Sequence, residues 1–382
     1  MIKGRKLINI FIISFLFILL APTLQVLAVD DSTNEAVTEK TDADSLEEYL
    51  PENAAEKLED VGVSSESPLS VLNISEEGII SIVIDAFNES FTAPVGVLIS
   101  LFVLIIFCSV YETALITLNN NNHVYTYLCS AIICCILVVP LSKTMYRAGE
   151  TVTLVGYFIN GFVPVYCSAL IMCGKTATAA AYGNGTILVS EVVTTVSYKI
   201  ITPACGMVLA LNVAGSVSSS QEGITRFSES ISKSVKWLLG VVMTIFSSVM
   251  NFRTIAGAAS DSFLTKTGRY IISTSIPVVG GSVAEAYNSI KTSASLIGTG
   301  IGLYGVIAVC IIMLPIFTEL ILYRIVMSIS AIAADLFGLS GISRLLKSAG
   351  ETVSVMSSVM VCVFISFVVS LAAVYLAGGI GK

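Results

Sequence analysis

Five stretches of this chain, residues 90–111, 151–174, 200–221, 292–318 and 352–381, contain no Asp, Glu, Lys or Arg. An α-helix rises about 1.5 Å per residue, so about 20 such residues cross a hydrocarbon layer roughly 30 Å thick. Each run is long enough. Lipid offers the backbone no hydrogen-bond partners, whereas a helix satisfies its own amides and carbonyls, so every crossing is expected to be helical. Composition agrees: 55% of the 382 residues are hydrophobic and 12% are charged, too little charge to coat a soluble domain. The sequence predicts an all-α, polytopic helical membrane protein.

The first 28 residues read differently. Lys3, Arg5 and Lys6 precede an apolar run that starts at Leu7, and Val26-Leu27-Ala28 supplies a small-residue cleavage pattern. Those are the three parts of a secretory signal peptide over residues 1–28. An uncleaved first helix is the other reading, and under either the following residues lie outside the cytoplasm.

Residues 29–90 form an acidic extracytoplasmic segment. They hold 17 of the 27 acidic residues, with Lys40 and Lys57 as their only bases, whereas from residue 91 onward 15 bases stand against 10 acids. This balance argues against nucleic acid as a partner, because phosphate binding needs clustered bases. Residues 29–66 are rich in Asp, Glu, Ser, Thr and Ala, so disorder or short helices are expected there. Ser45 and Glu48 fit a capping box, and Pro51 would end that helix. From Ser75 to Phe91 an amphipathic helix leads into the membrane.

Residues 91–382 form the membrane domain. The expected spans lie near 93–116, 124–142, 154–173, 186–217, 235–252, 296–337 and 353–378. Two of them exceed one straight crossing. The stretch 186–217 carries Glu191, Lys199 and Pro203, and 296–337 carries Pro315, Glu319, Arg324 and Asp335. Each could be two tight spans, or one span plus an interfacial helix, giving six to eight transmembrane helices. Orientation stays open, because the loop 119–123 has no Lys or Arg for the positive-inside rule to act on. Gly223-Ile224-Thr225-Arg226-Phe227 is echoed by Gly341-Ile342-Ser343-Arg344-Leu345, and both head segments, 223–236 and 341–350, that read as amphipathic interfacial helices.

Charge inside a membrane is costly, so Glu191, Lys199, Glu319 and Arg324 are the candidate intramembrane polar residues. Glu191 and Lys199 are eight apart, on nearly one helical face. Glu319 and Arg324 are five apart, a poor intrahelical pair that points to partners on other helices. Gly298 and Gly302 make a small-xxx-small pair for close helix packing. Pro277, Gly280 and Gly281 suggest a broken or re-entrant helix over 270–284. All nine cysteines lie in the apolar body, where they act as small buried hydrophobes. His123 is the sole histidine, and no phosphate-binding loop or nucleophile–base arrangement is present, so the chain reads as no enzyme, with no cofactor and no metal site.

Thr265-Lys266-Thr267-Gly268-Arg269-Tyr270-Ile271, then Ile276-Pro277-Val278-Val279-Gly280-Gly281, then Ala284 to Ile290 and Gly298 to Gly305, resembles the stage III sporulation protein AE family. The overall plan is similar too: signal peptide, short acidic exported segment, polytopic body. The resemblance implies a non-catalytic subunit of a transenvelope channel between mother cell and forespore, needed for late forespore gene expression. It also implies residence in the mother-cell membrane around the forespore. The implied partners are proteins of the same operon, including an ATPase and ring-forming membrane proteins, a forespore-membrane protein across the intermembrane space, and the lipid bilayer. The residues alone leave a second reading open, a self-sufficient secondary transporter for a small solute or ion.

Overall fold

A computed structural model describes residues 43–63, 70–71, 76–117, 124–217, 221–275 and 280–377. The expected signal peptide, residues 29–42 and Pro277 lie outside them. Every major element is helical. A 3₁₀ helix, Ala43–Tyr49, leads through Pro51 into α1 (Glu52–Asp60). Then come α2 (Glu76–Thr117), α3 (Val124–Met172), α4 (Thr176–Val196), a π turn (Ser197–Ile201) and α5 (Thr202–Val217). The chain finishes with α6 (Gln221–Ser275), α7 (Gly280–Leu336) and α8 (Ser340–Ala377).

Six rods among the described residues are long and apolar enough to cross a membrane: Ile80–Glu112, Leu128–Met172, Thr176–Leu211, Arg226–Thr267, Gly298–Leu336 and Ser340–Tyr375. Six falls within the expected range, but the segmentation differs from expectation. The spans expected at 124–142 and 154–173 are one helix, α3, whose 49 residues extend about 73 Å. Lys143, Arg147 and Glu150 interrupt its hydropathy without interrupting its backbone. The segments 223–236 and 341–350 likewise run without a break into the spans that follow.

The long stretch 186–217 is also one rod, and its π turn has a local cause. Pro203 has no N–H, and its ring would strike the carbonyl four residues back, at Lys199. The helix widens by one residue instead, so the Thr202 amide bonds to the Ser197 carbonyl, and the Thr202 hydroxyl donates to the same oxygen at 3.0 Å.

Two glycines make the sharp reversals. Gly174 (φ 73°) joins α3 to α4 and Gly338 (φ 77°) joins α7 to α8, in a left-handed conformation that side chains with a Cβ rarely adopt. In each turn the glycine amide bonds three residues back and the next amide five residues back: Gly174 to Ile171, Lys175 to Leu170, Gly338 to Asp335, Leu339 to Ala334. This pattern satisfies the last carbonyls of both helices and folds the partners antiparallel.

The central helix is α7, which packs against α2, α3 and α8. Along α3, Phe158, Phe162 and Tyr166 stack at 5.6–5.8 Å between ring centroids, and Phe367 of α8 meets Phe162 edge-on at 5.6 Å. By contrast α2 and α6 keep rows of apolar side chains on the outside, including Val103, Phe107 and Val110, and Trp237, Phe252 and Phe263. Those faces are suited to lipid.

The described part of the acidic segment is attached to this bundle. Leu46, Leu50, Ala54 and Leu58 recur every fourth residue and are buried. The Tyr49 ring lies tilted against Tyr157, 5.5 Å between centroids, and occupies the space where a Cβ on Gly161 would stand. Lys57 reaches Glu89 of α2 at 3.2 Å. Replacing Gly161 by Leu, or Tyr49 by Ala, is expected to release residues 43–63 while leaving the bundle folded. Trypsin should then cut after Lys57 roughly tenfold faster, as for a locally opened segment. Unchanged cleavage in both variants would rule out this docking.

Candidate functional site

One of the two most enclosed carboxylates among the described residues, Glu319, is on α7. Ile316, Glu319, Leu320 and Tyr323 share one helical face, and all four are buried. Opposite them α3 presents Leu141, Thr144, Met145 and Ala148, buried in the same way. Placing Glu319 in that seam requires donors for both carboxylate oxygens. Thr144 donates its hydroxyl to Glu319 Oε1 at 2.6 Å, and Arg147 donates Nη1–H to Oε2 at 2.8 Å. Thr144 and Arg147 are one turn apart, so both reach across from a single face of α3. The carboxylate side chain is 7% exposed and the arginine 48%, so the acid is enclosed while the base opens to the surroundings. Tyr323, one turn along α7, completes the cluster beside Thr144 and Arg147.

A turn before Glu319, Pro315 lies within α7. Its carbonyl accepts a hydrogen bond from Ser90 of α2 at 2.9 Å. Polar groups of α7 therefore tie it to α2 on one side and to α3 on the other.

A second buried carboxylate joins other helices. Asp261 of α6 is 5% exposed and accepts the Ala177 amide at 2.9 Å and the Thr178 amide at 2.8 Å. These are orphan donors at the start of α4, whose own N-cap residue, Lys175, makes no side-chain cap. The carboxylate sits at the positive end of the helix dipole, where negative charge is favourable. Gly257, one turn earlier on α6, permits the approach: a Cβ there would come within 2.9 Å of the Ala177 carbonyl oxygen and the Thr178 Cα.

The four polar residues singled out from the sequence do not converge. Glu319 is the buried anchor. Arg324 is partly buried, and no hydrogen bond or ion pair joins it to another described residue. Glu191 and Lys199 are exposed on the outer side of the α4–α5 rod, with Lys199 in the π turn. Gly298 and Gly302 face α3: a Cβ would lie 3.7 Å from Cys173 Sγ and 3.4 Å from the Tyr166 ring, respectively. Gly280 and Gly281 open α7; of the stretch 270–284, residues 270–275 end α6, 280–284 begin α7, and 276–279 lie outside the described residues. Asp335, at the end of α7, pairs with Lys347 at 2.7 Å across the Gly338 turn.

Arg147 and Asp261 each tie two helices together, yet hydropathy marks them as loop residues. Their one local signal is helical phase: Arg147 is three residues beyond Thr144, and Asp261 is four beyond Gly257.

Comparison with known proteins places the chain in context. The family described as "Stage III sporulation protein AE" matches residues 68–378. A curated relative, "Stage III sporulation protein AE" of Bacillus subtilis (strain 168), is 23% identical over 234 residues, which is 61% of this chain and 58% of the relative. The alignment thus spans less than two thirds of that protein's length. No solved structure matches the chain.

Arg147→Met would leave the enclosed Glu319 with Thr144 as its remaining donor. We expect a loss of about 2–3 kcal/mol, below the range for fully buried pairs because Arg147 is half exposed. Adding Glu319→Gln should recover most of it, as read by thermal melting in detergent; strictly additive losses would contradict the coupling. Asp261→Ala should cost about 1–2 kcal/mol by uncapping α4, and Asp261→Asn less, since it keeps one acceptor. Equal melting of Asp261→Ala and the parent would dismiss the cap.

Proposed function

Because the chain belongs to the stage III sporulation protein AE family, we propose that it is a non-catalytic integral membrane subunit of the sporulation channel between mother cell and forespore, needed for late forespore gene expression and spore maturation. One observation carries this reading. The family match over 68–378 takes in all six membrane-length helices, from Ile80 to Tyr375, so family identity resides in the membrane body. The protein is a sporulation protein of the membrane; its residence in the mother-cell membrane around the forespore is part of the proposal. So are its partners, an ATPase and ring-forming membrane proteins of the same operon and a forespore-membrane protein across the gap.

The non-catalytic role is supported by how the charges are used. Glu319 has both oxygens engaged, and Asp261 is held by two backbone amides. Both carboxylates bind helix to helix and neither is paired with a nucleophile. The acidic head adds a surface for partner ectodomains, docked by Tyr49 on the same bundle.

A secondary transporter is the second reading, favoured by the enclosed Glu319 within a span. The two readings separate in liposomes: a subunit dependent on its partners moves no solute when reconstituted alone, whereas a transporter does. In the spore-forming host, deletion of the gene is expected to arrest maturation after engulfment, with heat-resistant spores restored by re-expression. Undiminished heat-resistant spores in the deletion strain would refute the sporulation role.

A further inference from the structure

Helix α4 carries a row of hydroxyls that neither the caps nor the ion pairs use. Thr178, Tyr182, Thr186 and Ser190 recur every fourth residue and are 0%, 0%, 4% and 8% exposed. None of the four hydroxyl oxygens has a hydrogen-bond partner of good geometry among the described residues. Residues at this spacing form one continuous ridge, which at about 1.5 Å per residue runs on the order of 18 Å from Thr178 to Ser190. That is more than half of a hydrocarbon layer roughly 30 Å thick.

Several buried hydroxyls on other helices solve the problem locally, although Ser330 of α7 and Ser343 of α8 do not. Thr254, Ser357, Ser366 and Ser370, all buried, donate to carbonyls three or four residues back on their own helices, at 2.7–3.0 Å. This is the usual recourse of Ser and Thr in apolar helices. The α4 row leaves it unused.

The row points into the bundle. The Tyr182 ring meets Tyr166 of α3 edge-on at 5.2 Å, and its hydroxyl stands beside those of Thr186 and Ser370 of α8. Cys167 of α3 lies across from Gly183, 3.0 Å from where a Cβ would be, and its thiol donates to the Ala179 carbonyl at 3.3 Å. Around Tyr182 the walls are therefore α3, α4 and α8, with the Cys167 thiol on α3 and the Ser370 hydroxyl on α8, while Thr178 abuts α6 at Gly257.

Burying four hydroxyls in succession without well-formed hydrogen bonds is unfavourable, and a buried water bonding to about three polar groups removes that cost at each. We infer that the α4 row is one wall of an internal file of water molecules held between α3, α4 and α8. The ligand is water because the hydroxyls of the row are neutral and both donate and accept, while the Asp261 carboxylate beside Thr178 is already held by two backbone amides. Water-lined polar surface at this depth gives the bundle a wet interior seam distinct from the Glu319 anchor. The inference is independent of the sporulation role.

X-ray hydroxyl-radical footprinting tests it on the purified full-length protein in detergent micelles, because internal waters are radical sources beside the side chains they touch. Tyr182 and Phe158 are both 0% exposed and serve as probe and dry control. With each rate normalised to that of the unfolded protein, Tyr182 should be oxidised at least ~5-fold faster than Phe158 if bound water contacts it. Thr186→Val should cut the Tyr182 rate at least ~2-fold, and Thr186→Ser, which keeps the hydroxyl, should leave it unchanged. Equal rates for Tyr182 and Phe158 in the parent protein would overturn the inference, and this comparison decides the matter if Thr186→Val fails to fold. A higher melting temperature for Thr186→Val with unaltered Tyr182 labelling would overturn it as well, since that is how a dry, unpaired hydroxyl behaves.

Discussion

In hydrocarbon a backbone amide has no water to fall back on, and this protein is arranged around that fact. The rods run well past the thickness of a bilayer because ending a helix exposes four carbonyls, and the chain ends one where it can cap it. At Gly174 and Gly338 the capping hydrogen bonds and the reversal of direction are one structure. At the start of α4 the cap comes from 84 residues away, from Asp261. At Pro203, where a lost N–H would break the rod, the π turn redistributes the bonds.

The side-chain electrostatics follow from the same scarcity of partners. Glu319 and Asp261 are each enclosed, each has both oxygens occupied, and each joins two helices. Charges of this kind contribute specificity of packing more than net stability, since their desolvation offsets much of the attraction. They set which face of α7 meets α3, and how α6 lies across the head of α4. Glycine and aromatic residues then fill the seams, with Gly302 against Tyr166 and Gly161 against Tyr49.

Much of this was legible in the sequence. The uncharged runs identify the membrane class and the helical fold, and the cost of burying Glu319 singles it out. The segmentation was less legible. Lys143, Arg147 and Glu150 mimic a loop because hydropathy scores each side chain by its own solvation, whereas α3 runs unbroken through them and Arg147 pairs with Glu319, 172 residues away. Asp261 was hidden for the same reason, its partners being backbone amides that no composition reveals. The Glu191–Lys199 face was misleading in the other direction, since the phase that aligns them also turns both outward. Ile342, Leu345, Leu346 and Ala349 share the expected face of 341–350, and all four are buried against the bundle in an unbroken α8.

The docking of Tyr49 has a mechanical consequence. The Ala43–Asp60 segment grips α3 through the notch at Gly161 and leans on α7 through α1, so its anchor points are the two helices that Glu319 and Arg147 clamp together. A pull on Ala43 would thus act on the two helices that this ion pair joins.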